Sequence, residues 1–330
     1  MLVATRRHAM VGYRRIALNA LTLIPGVSYL PAVRSRLSAR DIGTGGTNSA
    51  RYCYTVWLRH LAMAAKHGLN TDPEEIAELG PGDSIGAGLA ALLCGAKCYH
   101  ALDVVRHANR ASNAAVFDQL VTLFRTCADV PDDSEFPRVS PRLPDYRFPV
   151  HILHPARMER ALAPDRVAEL RQAVLGQTAG GAIRYHVPWH HPAVVQRRSL
   201  DMVFSQAALE HVDELPAAYR AMRVWLKPGG FVSHQIDFKS HGCDETWDGH
   251  WRYGDVAWRL LRGSRTWFIN RAPYSEHLRL LRSSHFRVVA EQPVTREPSF
   301  PRQALAPRFR AMPESDRQTA GAYVLASLPN

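Results

Sequence analysis

This 330-residue chain predicts an α/β fold with helices on both faces of a doubly wound, mostly parallel sheet. Three observations point there. From Glu75 onward, short apolar runs alternate with longer segments of helical period. A glycine-rich turn, Gly80-Pro-Gly-Asp-Ser-Ile-Gly86, joins the first run to a helix. An aspartate, Asp103, closes the second run. Alternating strands and helices build βαβ units, which give a parallel sheet.

The elements follow in order. Ala50 to Leu61 reads as an amphipathic helix with Trp57 and Leu61 on its apolar side. Glu75 to Leu79 is a short strand, Ser84 to Gly95 an Ala/Leu-rich helix, and Lys97 to Leu102 a second strand. A helix covers about 108–126. Five prolines between 131 and 149 then break the pattern, and a helix from Pro164 to Leu175 leads through a Gly-rich turn into a strand at Ala182 to His186. The stretch 127–181 thus reads as an insertion, expected over the ligand-binding end of the strands. Regularity resumes with a strand at Leu200 to Ser205, a helix at Leu215 to Trp225 stopped by Lys227-Pro-Gly-Gly230, and a strand at Phe231 to Asp237. A second irregular region, 241–270, holds Trp247, Trp251, Trp258 and Trp267. A helix (Ser275 to Ser283) and strands at Phe286 to Ala290 and Ala322 to Ser327 close the chain. The domain division is a basic segment over 1–40 and one catalytic-type domain over 41–330.

Composition narrows the function. At 46% hydrophobic and 22% charged the chain is ordinary globular material. No apolar run approaches the ~18–20 residues of a membrane-spanning helix, and the apolar stretch Ile16 to Val27 lacks a clear cleavage site. The five cysteines are odd in number and scattered, which fits free thiols in a reducing cytoplasm. Cys94 and Cys98 have no companion pair to complete a zinc site, so no metal is expected. The net charge of +11 is concentrated at one end: residues 1–40 carry seven arginines and no acid, leaving +4 for the other 290. A nucleic-acid binder spreads basic residues over its folded surface with aromatics between them, so nucleic acid is not the expected partner. Residues 1–40 read as a solvated tail or as a surface helix on anionic lipid; an organellar transit peptide has the same composition. The expected location is the cytoplasm, with peripheral membrane contact through residues 1–40 left open.

The glycine turn carries the first chemistry. Its spacing is G-x-G-x-x-x-G, not the dinucleotide G-x-G-x-x-G. Glu78 stands two residues ahead of Gly80, where a carboxylate can hold an ammonium. Asp83 lies inside the turn, an awkward neighbour for a pyrophosphate. Asp103, 21 residues after Gly82, is placed to accept the two hydroxyls of a ribose. Further on come Leu200-Asp-Met-Val-Phe-Ser-Gln-Ala-Ala-Leu-Glu-His-Val212 and Trp225-Leu-Lys-Pro-Gly-Gly230.

In combination these motifs resemble the class I S-adenosylmethionine-dependent methyltransferases, small-molecule or glycan type (methyltransferase type 11-like). Those enzymes have E-x-G-x-G at the cofactor strand, D-x-V-x-S then E-H-V at the fourth strand, and L-K-P-G-G before the fifth. The resemblance covers roughly 75–126 and 182–328. It implies a Rossmann-like, seven-stranded sheet with an antiparallel last strand and a lid insertion, with S-adenosyl-L-methionine as cofactor. It places Glu78, Gly80 and Gly82 along the methionine part, Asp103 on the ribose, and Ser205 and Gln206 beside the sulfonium. Two departures stand out. Ser84 replaces the pattern's third glycine. Tyr185-His-Val-Pro-Trp189 stands where an acid often contacts adenine, so Trp189 is the candidate to stack on the base. The segment 47–60 is expected to close over the cofactor, with Arg51 on its carboxylate.

Methyl transfer to a hydroxyl calls for positioning and a base. His211, His234 and His241 are the candidates, all near carboxyl ends of strands. A cation at Asp237 and His241 needs the strand to bend after Ile236. The Trp-rich region is either an acceptor wall for a sugar ring or the core of a helical lid. The expected function is O-methylation of a glycan or other small molecule. An NAD(P)-dependent oxidoreductase and a catalytically degenerate binding subunit are the alternatives.

Overall fold

The computed structural model describes residues 46–176, 181–189, 191–265 and 268–329. The basic segment 1–40 and Trp267 lie outside the described residues. Seven strands form one sheet in the order β3-β2-β1-β4-β5-β7-β6. They are β1 (Glu75–Leu79), β2 (Cys98–Leu102), β3 (Ile183–His186), β4 (Leu200–Gln206), β5 (Leu226–Asp237), β6 (Arg287–Thr295) and β7 (Thr319–Ser327). Pairing is parallel from β3 through β5, whereas β7 runs antiparallel to both β5 and β6. This is the doubly wound architecture with an antiparallel last strand that the sequence predicts. The order reverses between β1 and β4, so the crevice for a ligand opens at their carboxyl ends.

Alternation along the strands divides the core in two. Ile76, Tyr99, Met202, Phe204 and Phe231 face α1 (Ala50–Lys66), α2 (Gly86–Leu93) and α3 (Arg110–Arg125). Ala77, Leu102, Val203, Val232 and Ile236 face α6 (Leu215–Trp225) and α8 (Tyr274–Ser283). Ser49 Oγ caps α1 by accepting from Tyr52 N, and Asn109 caps α3 by accepting from Ser112 N. Between them lie α4 (Pro155–Ala161) and α5 (Pro164–Val174), each with proline in its first turn. The sequence reading lacks α4, which is only seven residues long.

Two expectations are corrected here. Helix α1 is not amphipathic in place: it is buried on nearly every side, Arg59 included. The proline-rich segment covers its outer flank. Tyr54 and Thr55 donate to the carbonyls of Ala128 and Pro131, and Arg59 donates to those of Pro131 and Val139 while pairing with Asp133 at 2.8 Å. Second, the helical half of the 127–181 insertion does not lie over the ligand end. Arg157 donates to Thr71 and Cys94 carbonyls, and Arg166 to those of Leu92 and Ala96. These contacts hold α4 and α5 at the amino ends of β1 and β2.

The region after β5 does form a cover. Trp251 packs with Leu305, Ala306, Phe309 and Met312, and Trp258 with Leu261 and Ile269. Chain between β6 and β7 therefore joins 241–270 in one lobe, built by α7 (Asp255–Arg262), α9 (Glu314–Gln318) and short 3-10 turns. No helix among the described residues is long and apolar enough to cross a membrane.

Candidate active site

Register brings four strand ends level. Leu79 pairs with Leu102 on one side and Ser205 on the other, and Ser205 with His234. Beyond Leu79 the backbone takes positive φ at Gly80 (66°) and Gly82 (77°), a conformation glycine adopts without strain. A Cβ on Gly80 would lie 2.7 Å from the Ala208 Cβ, so this turn rests directly on the loop after β4. Ser84 is buried; its N–H donates to Thr47 Oγ1 at 3.2 Å and its hydroxyl to Thr47 O. The serine that departs from the glycine pattern thus fastens the segment preceding α1 onto the turn. Arg51 does not aim at this end: both arms of its guanidinium engage Glu135 at 2.7 and 2.6 Å.

Glu78 is buried on β1 and accepts from the Tyr99 hydroxyl at 2.6 Å. Burial pushes its carboxyl up to about 7, against the pull of that hydrogen bond. On β2, Asp103 accepts from Val104 N at 2.8 Å and from the Tyr185 hydroxyl at 3.2 Å, and burial raises its carboxyl as well. Around it Val104, Val105 and Val187 are exposed, unusual for large apolar side chains at strand ends. Tyr185 is covered by the Arg106 guanidinium at 4.2 Å; the sequence reading quoted it only within the segment that ends at Trp189 and gave no role to it or to the valines. Trp189 is not at this edge. It is buried against Trp225, ring centroids 6.2 Å apart, in the core beneath the sheet, which rules out stacking on a base.

At the ends of β4 and β5, two proposed side chains turn inward. Ser205 and His234 are fully buried on the α6/α8 face, Ser205 Oγ 2.8 Å from His234 Nδ1. Burial lowers the His234 imidazole to about 3. His234 is therefore a neutral core residue rather than a base, and the Ser205 side chain points away from the cofactor end. Gln206 faces the other way: it donates to Gln235 Oε1, and its own Oε1 lies 3.2 Å from His60 Nε2.

Past these ends the chain gathers a cluster. Glu210 and His211 sit on the 3-10 turn Leu209–His211, and Asp237 ends β5. His241, at φ 47°, brings Nε2 to 3.5 Å from Asp237 Oδ2 and 4.0 Å from Glu210 Oε1. The rings of His211 and His241 meet edge to face at 5.1 Å. Burial pushes Glu210 up to about 8. Burial also opposes the charged forms of Asp237 and His241, yet their mutual hydrogen bond prevails: Asp237 falls to about 2 and His241 is raised. Glu210 escaped the sequence reading because E-H-V was read only for its histidine. Asn270 holds the turn in place: its side chain donates to Leu209 O and Val212 O, and its N–H to Glu210 O.

Residues 159–233 match a family model described as a methyltransferase domain. That interval runs through β3, β4, α6 and most of β5, on a sheet with the strand order given above. Over these residues the chain is similar to methyltransferase domains. S-adenosylmethionine is the cofactor that a domain of this kind implies. No curated protein matches in sequence. Among solved structures, the chain is similar to an S-adenosylmethionine-dependent methyltransferase from Mesorhizobium loti, at 14% identity, with 81% of this chain and 97% of that one covered and a TM-score of 0.40. A Methanosarcina mazei methyltransferase gives 12%, 80%, 97% and 0.42. Phosphoethanolamine N-methyltransferase 2 of Haemonchus contortus, in complex with S-adenosyl-L-methionine, gives 15%, 83%, 53% and 0.40. The matched interval includes the helix before β3 and stops at Ser233, short of Asp237 and His241.

Proposed function

We propose that the protein is an S-adenosylmethionine-dependent methyltransferase acting on a hydroxyl of a small polar acceptor, held beyond the ends of β4 and β5. The observation that carries this reading is the Glu210, His211, Asp237 and His241 cluster. It sets titratable groups beside the loop that touches the glycine turn, within one crevice.

The residues at the other end of the crevice suit the cofactor. Asp103 offers carboxylate oxygens for ribose hydroxyls, and the exposed Val104, Val105 and Val187 provide an apolar edge for a purine. Glu78 is the acceptor for an ammonium, and Gly80 and Gly82 keep the turn free of side chains. The cofactor supplies an electrophilic methyl group, already activated at a sulfonium. The chain's own part is to align the acceptor and take its proton. Asp237 Oδ2 lies 3.5 Å from His241 Nε2, which suits it to orient that ring, and this supports His241 as the group beside the acceptor hydroxyl.

A glycan fits this acceptor class, but the tryptophans do not speak for it. Trp251 and Trp258 are buried in the lobe core, and Trp247 gives its Nε1 hydrogen to Glu297 O. Radiolabelled methyl transfer from the cofactor to hydroxylated and amine acceptor panels tests the reading. Labelling confined to hydroxyl compounds is the expected outcome. Labelling of amines alone overturns the hydroxyl assignment, and absence of cofactor binding overturns the whole.

A further inference from the structure

We propose that Glu210, His211 and His241 form a binding site for a divalent transition-metal ion, which holds the acceptor oxygen. One ligand atom from each residue lies within 4.8 Å of the other two. Nitrogen and oxygen donors sit ~2.0–2.2 Å from such an ion, so two ligands of one ion are at most about 4.4 Å apart. Small side-chain rotations close the remaining difference.

Glu210 supplies an independent argument. It is 3% exposed, and neither carboxylate oxygen makes a well-formed hydrogen bond among the described residues; the backbone N–H groups of Glu210 and Asp237 only approach it. Its nearest cationic atom, His241 Nε2 at 4.0 Å, is beyond hydrogen-bond reach. A buried carboxylate so poorly satisfied is costly, and native structures pair such groups or give them to metals. Asp237 does not compete for the role, since Lys239 already holds it through Nζ at 2.7 Å and through its backbone N–H at 2.8 Å.

The donor set indicates the class of ion. Two imidazoles with one carboxylate suit zinc, iron(II), cobalt or manganese, whereas calcium and magnesium favour all-oxygen sites. Three protein ligands leave coordination positions open. The His241 side chain is 27% exposed, so solvent and an acceptor would have access to an ion held there. A hydroxyl on such an ion loses its proton near neutral pH, as bound water does. The proton passes to solvent. The oxygen lone pair then forms the bond to the methyl carbon as the carbon–sulfur bond breaks, its electron pair returning to sulfur.

What the ion does rests on the methyltransferase reading; whether it binds does not. The test therefore measures both separately on the full chain, stripped with chelator. Cobalt(II) is titrated while its visible d–d absorption is followed, and S-adenosylmethionine binding is measured by calorimetry on the same sample. The Glu75, Cys98 and His100 group at the amino ends of the strands is a rival ligand set, so Cys98→Ser is the background for all variants. One cobalt per chain is expected, with affinity reduced about tenfold or more by Glu210→Gln and by His241→Asn. Glu210→Gln conserves shape, and cofactor binding reports that each variant is folded. Cofactor binding without a cobalt band overturns the metal site and leaves the methyltransferase reading intact. So does a cobalt band that Glu210→Gln leaves unchanged, or one that vanishes in Cys98→Ser alone.

Discussion

The Tyr99 hydroxyl donates to Glu78 Oε2 at 2.6 Å across the β1–β2 pair, under the floor of the glycine turn. Both side chains are buried, so this bond is the means by which a carboxylate is kept in the core. Tyr99→Phe should lower stability by ~1–3 kcal/mol, because the acceptor is left buried without its donor. It should also raise the Glu78 carboxyl above about 7. Cofactor affinity, measured by calorimetry between pH 6 and 8, should increase through about 7 in the natural protein as Glu78 ionises. In Tyr99→Phe the midpoint should move to higher pH. An unchanged midpoint would show that Glu78 does not meet the ammonium.

Gly88 belongs to the same arrangement, since a Cβ there would lie 2.1 Å from the Tyr99 ring. Gly88→Ala should cost ~1–3 kcal/mol by overpacking and disturb the Glu78 bond with it. Gly80→Val is a poor test of cofactor contact for a related reason. Its side chain meets Ala208 and a positive φ before any ligand arrives. Loss of melting temperature in both variants without cofactor present is the expected result.

Asp103→Ala should weaken cofactor binding by ~2–4 kcal/mol through loss of two charge-assisted hydrogen bonds. Tyr185→Phe removes only a neighbour of that carboxylate and should cost far less. Equal losses from the two variants, read by calorimetry, would move the ribose away from Asp103.

The three candidate histidines should now separate. His234→Asn should lower the melting temperature while leaving turnover within a few-fold. His241→Ala and Glu210→Gln should cost ~10²–10⁴ in turnover with cofactor affinity nearly intact. A large kinetic defect in His234→Asn with normal stability would return that residue to the active site.

The buried histidines should destabilise the protein in mild acid. Burial lowers His60 to about 4, His234 to about 3 and His277 to about 4, all below the ~6.5 of an unfolded chain. Between those limits the unfolded state binds more protons, so stability decreases as pH falls. The contribution is intact above about 6.5 and is lost progressively towards 4. Glu78 and Glu210, raised to about 7 and about 8, act in the opposite sense because the folded state takes up their protons first, so the histidine contribution is read as the difference between the natural protein and His277→Phe in thermal melts from pH 8 to 4. The variant should lose less stability towards acid than the natural protein does.

Much of the fold was legible because its signals are local. Alternating apolar runs placed β1 and β4 within one residue, and Leu215 to Trp225 is the helix as read. Glu78, Gly80, Gly82 and Asp103 stand at the ends of their strands because the turn and the strand length put them there. What failed depends on long-range packing. Trp189 looks like a rim aromatic until Trp225 is found beside it, and His234 like a base until its depth is known. Arg51 looked available until Glu135 returned from 84 residues away. Glu210 is the converse case, an ordinary acid in sequence that acquires meaning only from how poorly its buried carboxylate is satisfied.

Asn270 grips the turn bearing Glu210 from the far side, and the lobe behind it has hydrophobic clusters of its own, distinct from those of the sheet. Selection can therefore act on the two ends of the crevice at different rates. The glycine turn is bound into the main core through Ser84 and Tyr99, where few exchanges are tolerated. The lobe made by 241–270 and the chain between β6 and β7 can drift or be replaced, altering which acceptor is admitted while the methyl donor's half stays as it is. Grafting that lobe between distant homologues, with Asn270 retained as the joint, is a direct route to new acceptor range.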